Sequence, residues 1–356
     1  MPREPILSGD DIPPPDDGYL SSKVNVAKLR DDEVALRPRH MSEMVGQAKV
    51  AERLAIAVDA ASKRKEPLGH ILLDGPPGLG KTTFATCIPR DLGVELQIAS
   101  GAALAAPKDL LPYLTNAEEG SVLFIDEIHR LPKAVEEFMY PAMEDFRVDI
   151  TLGEGAGART VNMKLRPFTL IGATTRSGML SAPLRDRFQL REHLDFYSEE
   201  ELTEIVRRNS NKLRVEIEDA AAAKIALCSR GTPRVANNHL RWVRDYSTSR
   251  AEGHITLAIA EAALTMRGVD ILGLDAQDRK YMSTIARVFH GGPAGVEAIA
   301  HTMNAALDTL VDEVEPFLLR SELVVRTPRG RKLTAKAYAH LGTPPPADEP
   351  QLPLFK

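Results

Sequence analysis

The chain has 356 residues, 43% hydrophobic and 27% charged, with a formal net charge of -5. That length predicts two or three domains with real cores, and the mild acidity excludes nucleic-acid binding through the global field, so any such affinity must come from a local patch. No apolar run approaches the ~20 residues of a membrane span, and the start of the chain lacks the apolar segment of a signal peptide, so no membrane partner is expected. Cys87 and Cys228 are the only cysteines, which predicts buried, unbonded thiols in a reducing, cytoplasmic setting.

Residues 1–22 place Pro2, Pro5, Pro13, Pro14 and Pro15 beside Glu4, Asp10, Asp11, Asp16 and Asp17. That composition predicts a disordered acidic tail. An α/β pattern follows over 23–199, with apolar strand candidates at 71–74, 94–98, 121–125 and 168–173 and amphipathic helices between them. The alternation predicts a doubly wound parallel sheet.

The first strand, Ile71-Leu72-Leu73, leads into Gly75-Pro76-Pro77-Gly78-Leu79-Gly80-Lys81-Thr82 and a helix-compatible stretch. This is the strand–loop–helix setting of a phosphate-binding loop. Glycines let backbone N–H groups turn inward around a polyphosphate, and the helix aims the positive end of its dipole at the same anion. Lys81 can reach the β- and γ-phosphates of ATP, and the Thr82 hydroxyl can ligate Mg²⁺. Pro89 falls about two turns into the helix and is expected to end or kink it.

The strand Leu123-Phe124-Ile125 ends in Asp126 and Glu127. Asp126 suits Mg²⁺, directly or through water, and Glu127 suits polarising an attacking water. Either segment alone could be an ordinary turn or an acidic strand end. Together they predict ATP hydrolysis.

Next comes a break in the α/β rhythm. Residues 147–152 and 159–165 alternate polar and apolar around Gly153-Glu154-Gly155-Ala156-Gly157, which predicts a β-hairpin. Its apolar face holds Val148, Ile150, Leu152, Val161, Met163 and Leu165. A lone hairpin is too thin to cover such a face, so the face either packs on the parent domain or stands exposed for a protein partner. After the strand at 168–173, Thr175 is placed to hold the attacking water or sense the γ-phosphate. In Leu184-Arg185-Asp186-Arg187-Phe188, an arginine either completes a neighbouring subunit's site or pairs with Asp186.

From 200 to 270 the pattern is all-helical. Ser198 caps a helix opened by Glu199, Glu200 and Glu201, and another helix starts at Thr232-Pro233. Arg234 either reaches back to the phosphates or is a surface charge. A third unit spans 271–342, with helices at 278–289 and 295–303 and a two-stranded ending near 323–337. Between 320 and 336, Arg320, Arg326, Arg329, Arg331, Lys332 and Lys336 face only Glu322, a local balance of +5. The turn Thr327-Pro328-Arg329-Gly330 reads as the wing of a winged helix. The helix expected to enter a major groove carries Asp308, Asp312, Glu313 and Glu315, which phosphates would repel. Contact with double-stranded DNA is therefore assigned to the wing and to backbone and shape; a solvated basic edge is the alternative. Residues 343–356 begin with the Pro-rich stretch 343–350, a stiff, solvated linker.

In this order the landmarks resemble the AAA+ ATPases, and among them the RuvB family of Holliday-junction branch-migration motors. The resemblance rests on Leu36-Arg37-Pro38, Val45-Gly46-Gln47, Gly75 through Thr83, Phe124 through Arg130, Tyr140 through Phe146, Gly172 through Arg176, Pro183 through Phe188, Gly231 through Arg234 and Arg326 through Arg331. It runs from about 33 to 342. The hairpin and the final wing are not general AAA+ features. It implies an AAA+ P-loop domain, an all-α lid and a C-terminal winged-helix domain, assembled as a hexameric ring around duplex DNA and driving branch migration. Leu36, Arg37, Val45 and Tyr197 would line an adenine pocket, and Gly78, Gly80, Lys81, Thr82 and Thr83 would hold phosphates. Glu144, Asp145 and Phe146 match positions near the nucleotide. Arg187 would be an arginine finger acting in trans and Arg234 a lid sensor. The hairpin, through Ile150, Leu152, Val161 and Met163, would dock a RuvA-like junction-binding protein, and Arg326, Arg329 and Arg331 would touch the DNA backbone. A clamp-loader-type switch would not explain the wing, and a regulator that only assembles with nucleotide would not need Glu127 with Thr175. Separately, Gln351-Leu352-Pro353-Leu354-Phe355 resembles the motif by which bacterial replication and repair proteins dock on the sliding clamp; the alternative is a tail that folds back on its own domain.

Overall fold

Five parallel strands form the central sheet in the order β2-β3-β6-β1-β7. They are β1 (Ile71–Asp74), β2 (Leu96–Ser100), β3 (Val122–Asp126), β6 (Thr169–Thr174) and β7 (Leu190–His193). The antiparallel pair β4 (Arg147–Leu152) and β5 (Arg159–Lys164) stands apart as a hairpin, with Ile150 opposite Val161. The computed structural model describes residues 35–152 and 159–345, with the backbone alone for Thr151 and Leu152. The acidic tail, the hairpin tip and the Gln351–Phe355 motif lie outside the described residues. Two compact units divide the chain, Met1–Arg37 and Pro38–Lys356. In the first, Ala35 and Leu36 are helical; everything below concerns the second.

Side-chain alternation along the strands sorts the core. Ile71, Leu73, Val122 and Phe124 enter one cluster, and Leu72, Leu123 and Ile125 enter another. Helices α1 (Ala48–Arg64) and α2 (Lys81–Leu92) cover the first face with Leu54, Phe84 and Ile88. Helices α3 (Pro107–Thr115) and α4 (Lys133–Glu144) cover the second with Leu110, Val135 and Met139. Both faces are buried, so these strands read as continuous apolar runs, and each fully buried large side chain contributes roughly 1.5–3 kcal/mol. Cys87 and Cys228 are buried and unbonded.

Three local expectations need correction. Helix α2 does not end at Pro89 but runs on to Leu92. The proline sits in the last turn, where few residues follow it, and its carbonyl still accepts the Val94 N–H at 2.9 Å. That capping bond also delays β2, which starts at Leu96 rather than Val94. Strand β7 was not foreseen: Leu190-Arg191-Glu192-His193 has one apolar residue, and Glu192 is buried only because Arg53 pairs with it.

Helix α5 (Ala182–Asp186) precedes β7. Four helices then pack onto the first core cluster: α6 (Glu199–Lys212), α7 (Asp219–Leu227), α8 (Pro233–Arg250) and α9 (Leu257–Met266). Ser198 caps α6 in a reciprocal box with Glu201. The last unit has its own core around Tyr281, Ile285, Leu318 and Leu323. It comprises α10 (Ala276–Val288), α11 (Val296–Met303) and a helical run from Leu307 to Arg320, followed by β8 (Val324–Thr327), β9 (Gly330–Leu333) and α14 (Ala335–Leu341). The run consists of α12 (Leu307–Thr309), a π-helical turn (Leu310–Val314) and α13 (Glu315–Arg320).

Candidate functional site

The loop after β1 turns on glycines no other residue could replace. Gly75 has φ 134°, and a Cβ there would sit 2.5 Å from the Leu194 carbonyl oxygen. Gly78 has φ 81° and lies against Arg234, whose N–H points at the Gly78 carbonyl at 3.4 Å. Thus the start of α8 lies against the loop, with the Arg234 backbone and Cβ in contact with Gly78. Lys81 is buried, and its ammonium donates to the Gly75 and Pro76 carbonyls at 2.7 and 2.8 Å. Burial pulls its pKa down to about 8, against the attraction of Asp126, Glu127 and Asp74. Thr82 and Thr83 follow on the first turn of α2, both partly buried.

Asp126 closes β3, and its carboxylate accepts the Glu127 N–H at 3.0 Å. Glu127 has φ 53°, a left-handed conformation uncommon outside glycine and a strain often found at functional sites. Thr175 lines a cleft of about 540 Å³ together with Asp74, Gly75, Pro76 and Pro77. A hydroxyl, a nearby carboxylate and room for phosphate oxygens and water suit Mg²⁺, which takes few protein ligands. Tyr197, buried, donates to the Leu79 carbonyl at 3.2 Å, and its ring leaves no space for a Cβ on Gly46. The neighbourhood of Val45 and the phosphate loop therefore meet at Tyr197. Leu36 and Arg37 belong to the separate first unit.

Sequence reasoning missed three groups around this centre. Thr174, beside the chosen Thr175, is wholly buried with its hydroxyl 3.0 Å from His129 Nδ1. His129 Nε2 lies 3.4 Å from Glu127 Oε2. Asp74 bonds His193 at 3.0 Å. The only available signal was a histidine two residues after Glu127.

Four other candidates do not reach this chain's own loop. Phe146 packs edge-on against His70 and Phe168, which precede β1 and β6, whereas the phosphate loop follows β1. Those sheet ends are about 15 Å apart. Asp145 pairs with Arg147 at 3.1 Å, and Glu144 with Arg187 at 3.1 Å. Arg187 also donates to the Pro183 carbonyl at 2.7 Å and lies 4.1 Å above the Tyr140 ring. Its Nε is buried without a partner. Asp186 pairs instead with Arg191, so the simple Asp186 salt bridge is not Arg187's explanation.

Three family descriptions match in succession: the Holliday junction DNA helicase RuvB P-loop domain over residues 36–194, the RuvB AAA lid domain over 197–270, and the RuvB C-terminal winged helix domain over 271–342. The chain belongs to the RuvB family. The Rhodopirellula baltica Holliday junction branch migration complex subunit RuvB is 63% identical over 335 residues, covering 92% of this chain and 91% of the relative. Among solved structures, the Thermotoga maritima RuvB Holliday junction branch migration motor is 45% identical with a TM-score of 0.81, covering 87% of this chain and 99% of its own. A mutant of the same Thermotoga maritima protein matches at 46% and 0.81, covering 86% and 99%. The architecture is accordingly an AAA+ P-loop domain with an inserted hairpin, a helical lid and a winged helix.

The RuvB hairpin divides along its length. Val148 is fully buried, and Ile150, Met163 and Leu165 pack partly on the sheet's second core, while Val161 is 45% exposed. The base is core and the outer part is free surface. In the RuvB wing the arginines are not equally free. Glu315, 0% exposed, accepts from Arg326 at 2.7 Å, Arg331 at 2.7 Å and the Tyr281 hydroxyl at 2.7 Å. Its carboxyl is held below the ordinary glutamate range by these donors, which outweigh its burial. Arg320 lies 4.2 Å over Phe196. Arg329, Lys332 and Lys336 are exposed.

Proposed function

We propose that this chain is an ATP-driven translocase on double-stranded DNA, which works as a hexameric ring and drives Holliday-junction branch migration with a RuvA-like partner. The proposal is supported by one arrangement: Lys81 lies within the electrostatic reach of Asp126 and Glu127, Thr175 lines a cleft with Gly75, and Arg234 lies against Gly78, while Arg187 is engaged by Glu144, Pro183 and Tyr140. A group built for phosphate charge but unable to reach its own site fits a neighbour's site. In this reading Glu127 orients the attacking water, Thr175 senses the γ-phosphate, and Lys81 and Arg234 neutralise the phosphates. Thr82 and Asp126 would hold Mg²⁺, which would supply neutralisation of phosphate charge. Val45 and Tyr197 bound the adenine, with Leu36 and Arg37 assigned by resemblance. Glu144, Asp145 and Phe146 join Arg187 in serving the adjacent subunit's nucleotide.

For DNA, Arg329 is the most available wing arginine, with Arg326 and Arg331 shared with Glu315. Double-stranded DNA is held through backbone phosphates. The hairpin docks the RuvA-like protein through exposed Val161, with the partly buried Ile150 and Met163, and Leu152 assigned by resemblance. Gln351–Phe355 tethers the motor to a sliding clamp. No helix among the described residues is long and apolar enough to cross a membrane. The test is ATP hydrolysis with and without duplex DNA, together with particle mass on DNA. DNA-stimulated hydrolysis by six-subunit particles supports the motor. A clamp-loader-type switch or a nucleotide-assembled regulator would show smaller particles or no turnover.

A further inference from the structure

Building on the ATPase reading, we propose that Arg176 couples the winged-helix unit to the hydrolytic carboxylate, with Thr174 and His129 as the positioning residues between them. Arg176 follows β6 by two residues and is anchored at both ends. Its backbone N–H donates to the Thr174 hydroxyl at 3.0 Å. Its guanidinium donates to Asp308 at 2.7 Å and to both oxygens of Asp312 at 3.2 and 2.6 Å. Asp308 and Asp312 are one helical turn apart and flank the start of the π-helical stretch Leu310–Val314. The acidic face that would be repelled by DNA phosphates is therefore turned toward the nucleotide domain and held there.

From Thr174 the contacts run inward. The threonine accepts from Arg176, so its one proton is free to go to His129 Nδ1 at 3.0 Å. That leaves the imidazole neutral with its proton on Nε2, which faces Glu127 at 3.4 Å. Burial, the largest influence on His129, also favours its neutral form. The His129 side chain is only 6% exposed, so its ring has little freedom to move independently of Thr174. Glu127, in its left-handed backbone conformation, depends on such neighbours for its aim.

The same cleft of about 540 Å³ is lined by Asp74, Gly75 and Thr175 on one side and by Leu307, Asp308, Val311 and Asp312 on the other, with Arg176 between. A polyphosphate entering that cleft competes with two carboxylates for one guanidinium. Whatever moves the winged helix therefore changes what Arg176 contacts, and the nucleotide acts back on the winged helix by the same link.

The experiment is steady-state ATP hydrolysis by the full chain, with and without duplex DNA, for wild type, Asp308→Asn/Asp312→Asn, Arg176→Ala, their combination, and His129→Asn. The paired asparagine variant is isosteric at surface-accessible positions. It is expected to lose DNA stimulation, the ratio falling to about 1, while the DNA-free kcat and the affinity for DNA stay within about twofold; the KM for ATP should fall, because the polyphosphate no longer competes with the two carboxylates for Arg176. Adding Arg176→Ala should cost no further stimulation, because both changes break one link. His129→Asn should lower kcat about 10-fold with KM unchanged. Retained stimulation in the paired asparagine variant, additive losses, or a His129 effect confined to KM would overturn the proposal. A wild type that hydrolyses no ATP would remove the ATPase reading, and this inference with it.

Discussion

The hydrolytic centre and the wing both concentrate charge, and they dispose of it in opposite ways. In the centre, buried Lys81 donates, among the described residues, to two backbone carbonyls, contacts a polyphosphate can replace. Glu127 is 3.4 Å from His129 and within electrostatic reach of Lys81. In the wing, Glu315, itself fully buried, takes up buried Tyr281, partly buried Arg331 and half-exposed Arg326. The first arrangement keeps charge available for a ligand; the second uses it to fix the shape of a β-turn. A basic count along the sequence therefore overstates what the wing offers DNA.

The largest test of that contrast is Glu315→Gln. Removing the anion weakens two arginine contacts and the Tyr281 bond; with Arg326 half exposed and one acceptor oxygen kept, the cost is about 1–3 kcal/mol. Chemical denaturation should register that loss; unchanged stability would mean the wing's charges are as free as their count suggests. Glu127→Gln should do the reverse, leaving the fold intact and slowing hydrolysis about 100-fold, roughly 2.7 kcal/mol of barrier, with ATP still bound. Near-normal turnover would end the assignment of Glu127. Arg187→Ala rings should hydrolyse poorly although each subunit binds ATP. Mixing them with Glu127→Gln subunits should recover part of the activity wherever an intact Glu127 faces an intact Arg187. No recovery at any ratio would place Arg187 in cis or outside catalysis. The smallest effect separates the wing arginines. Arg329→Ala should lower the salt slope of DNA binding by ~1 with stability unchanged. Arg331→Ala, whose side chain is 19% exposed, should lower stability and change the slope less. Equal slope changes would erase the distinction.

What the sequence made legible was what neighbouring residues determine. The phosphate loop is specified by its own glycines, the strands β1 and β3 by continuous apolar runs, and the start of α6 by Ser198 and Glu201. Long-range pairs left no local trace. Arg176 meets Asp308 and Asp312 across 132 and 136 residues, so neither the docking of the winged helix nor the use of its acidic face could be read beforehand. Strand β7 was hidden because Glu192 needs Arg53, 139 residues earlier, to be buried. Glu315 lies just outside the stretch in which the wing's charge was counted. For the hairpin, the pairing of Val148 with Met163 and Ile150 with Val161 follows the alternation, but alternation gave no sign of where between Val148 and Val161 core gives way to surface.

The central claim is that hydrolysis at Glu127 is spent on moving DNA. The most direct measurement follows a labelled four-way junction supplied with a RuvA-like partner, ATP, Mg²⁺ and this chain. The account predicts duplex products that require ATP and vanish with Glu127→Gln, while junction binding persists. Products formed equally well without ATP, or vigorous ATP hydrolysis with the junction left intact, would contradict it.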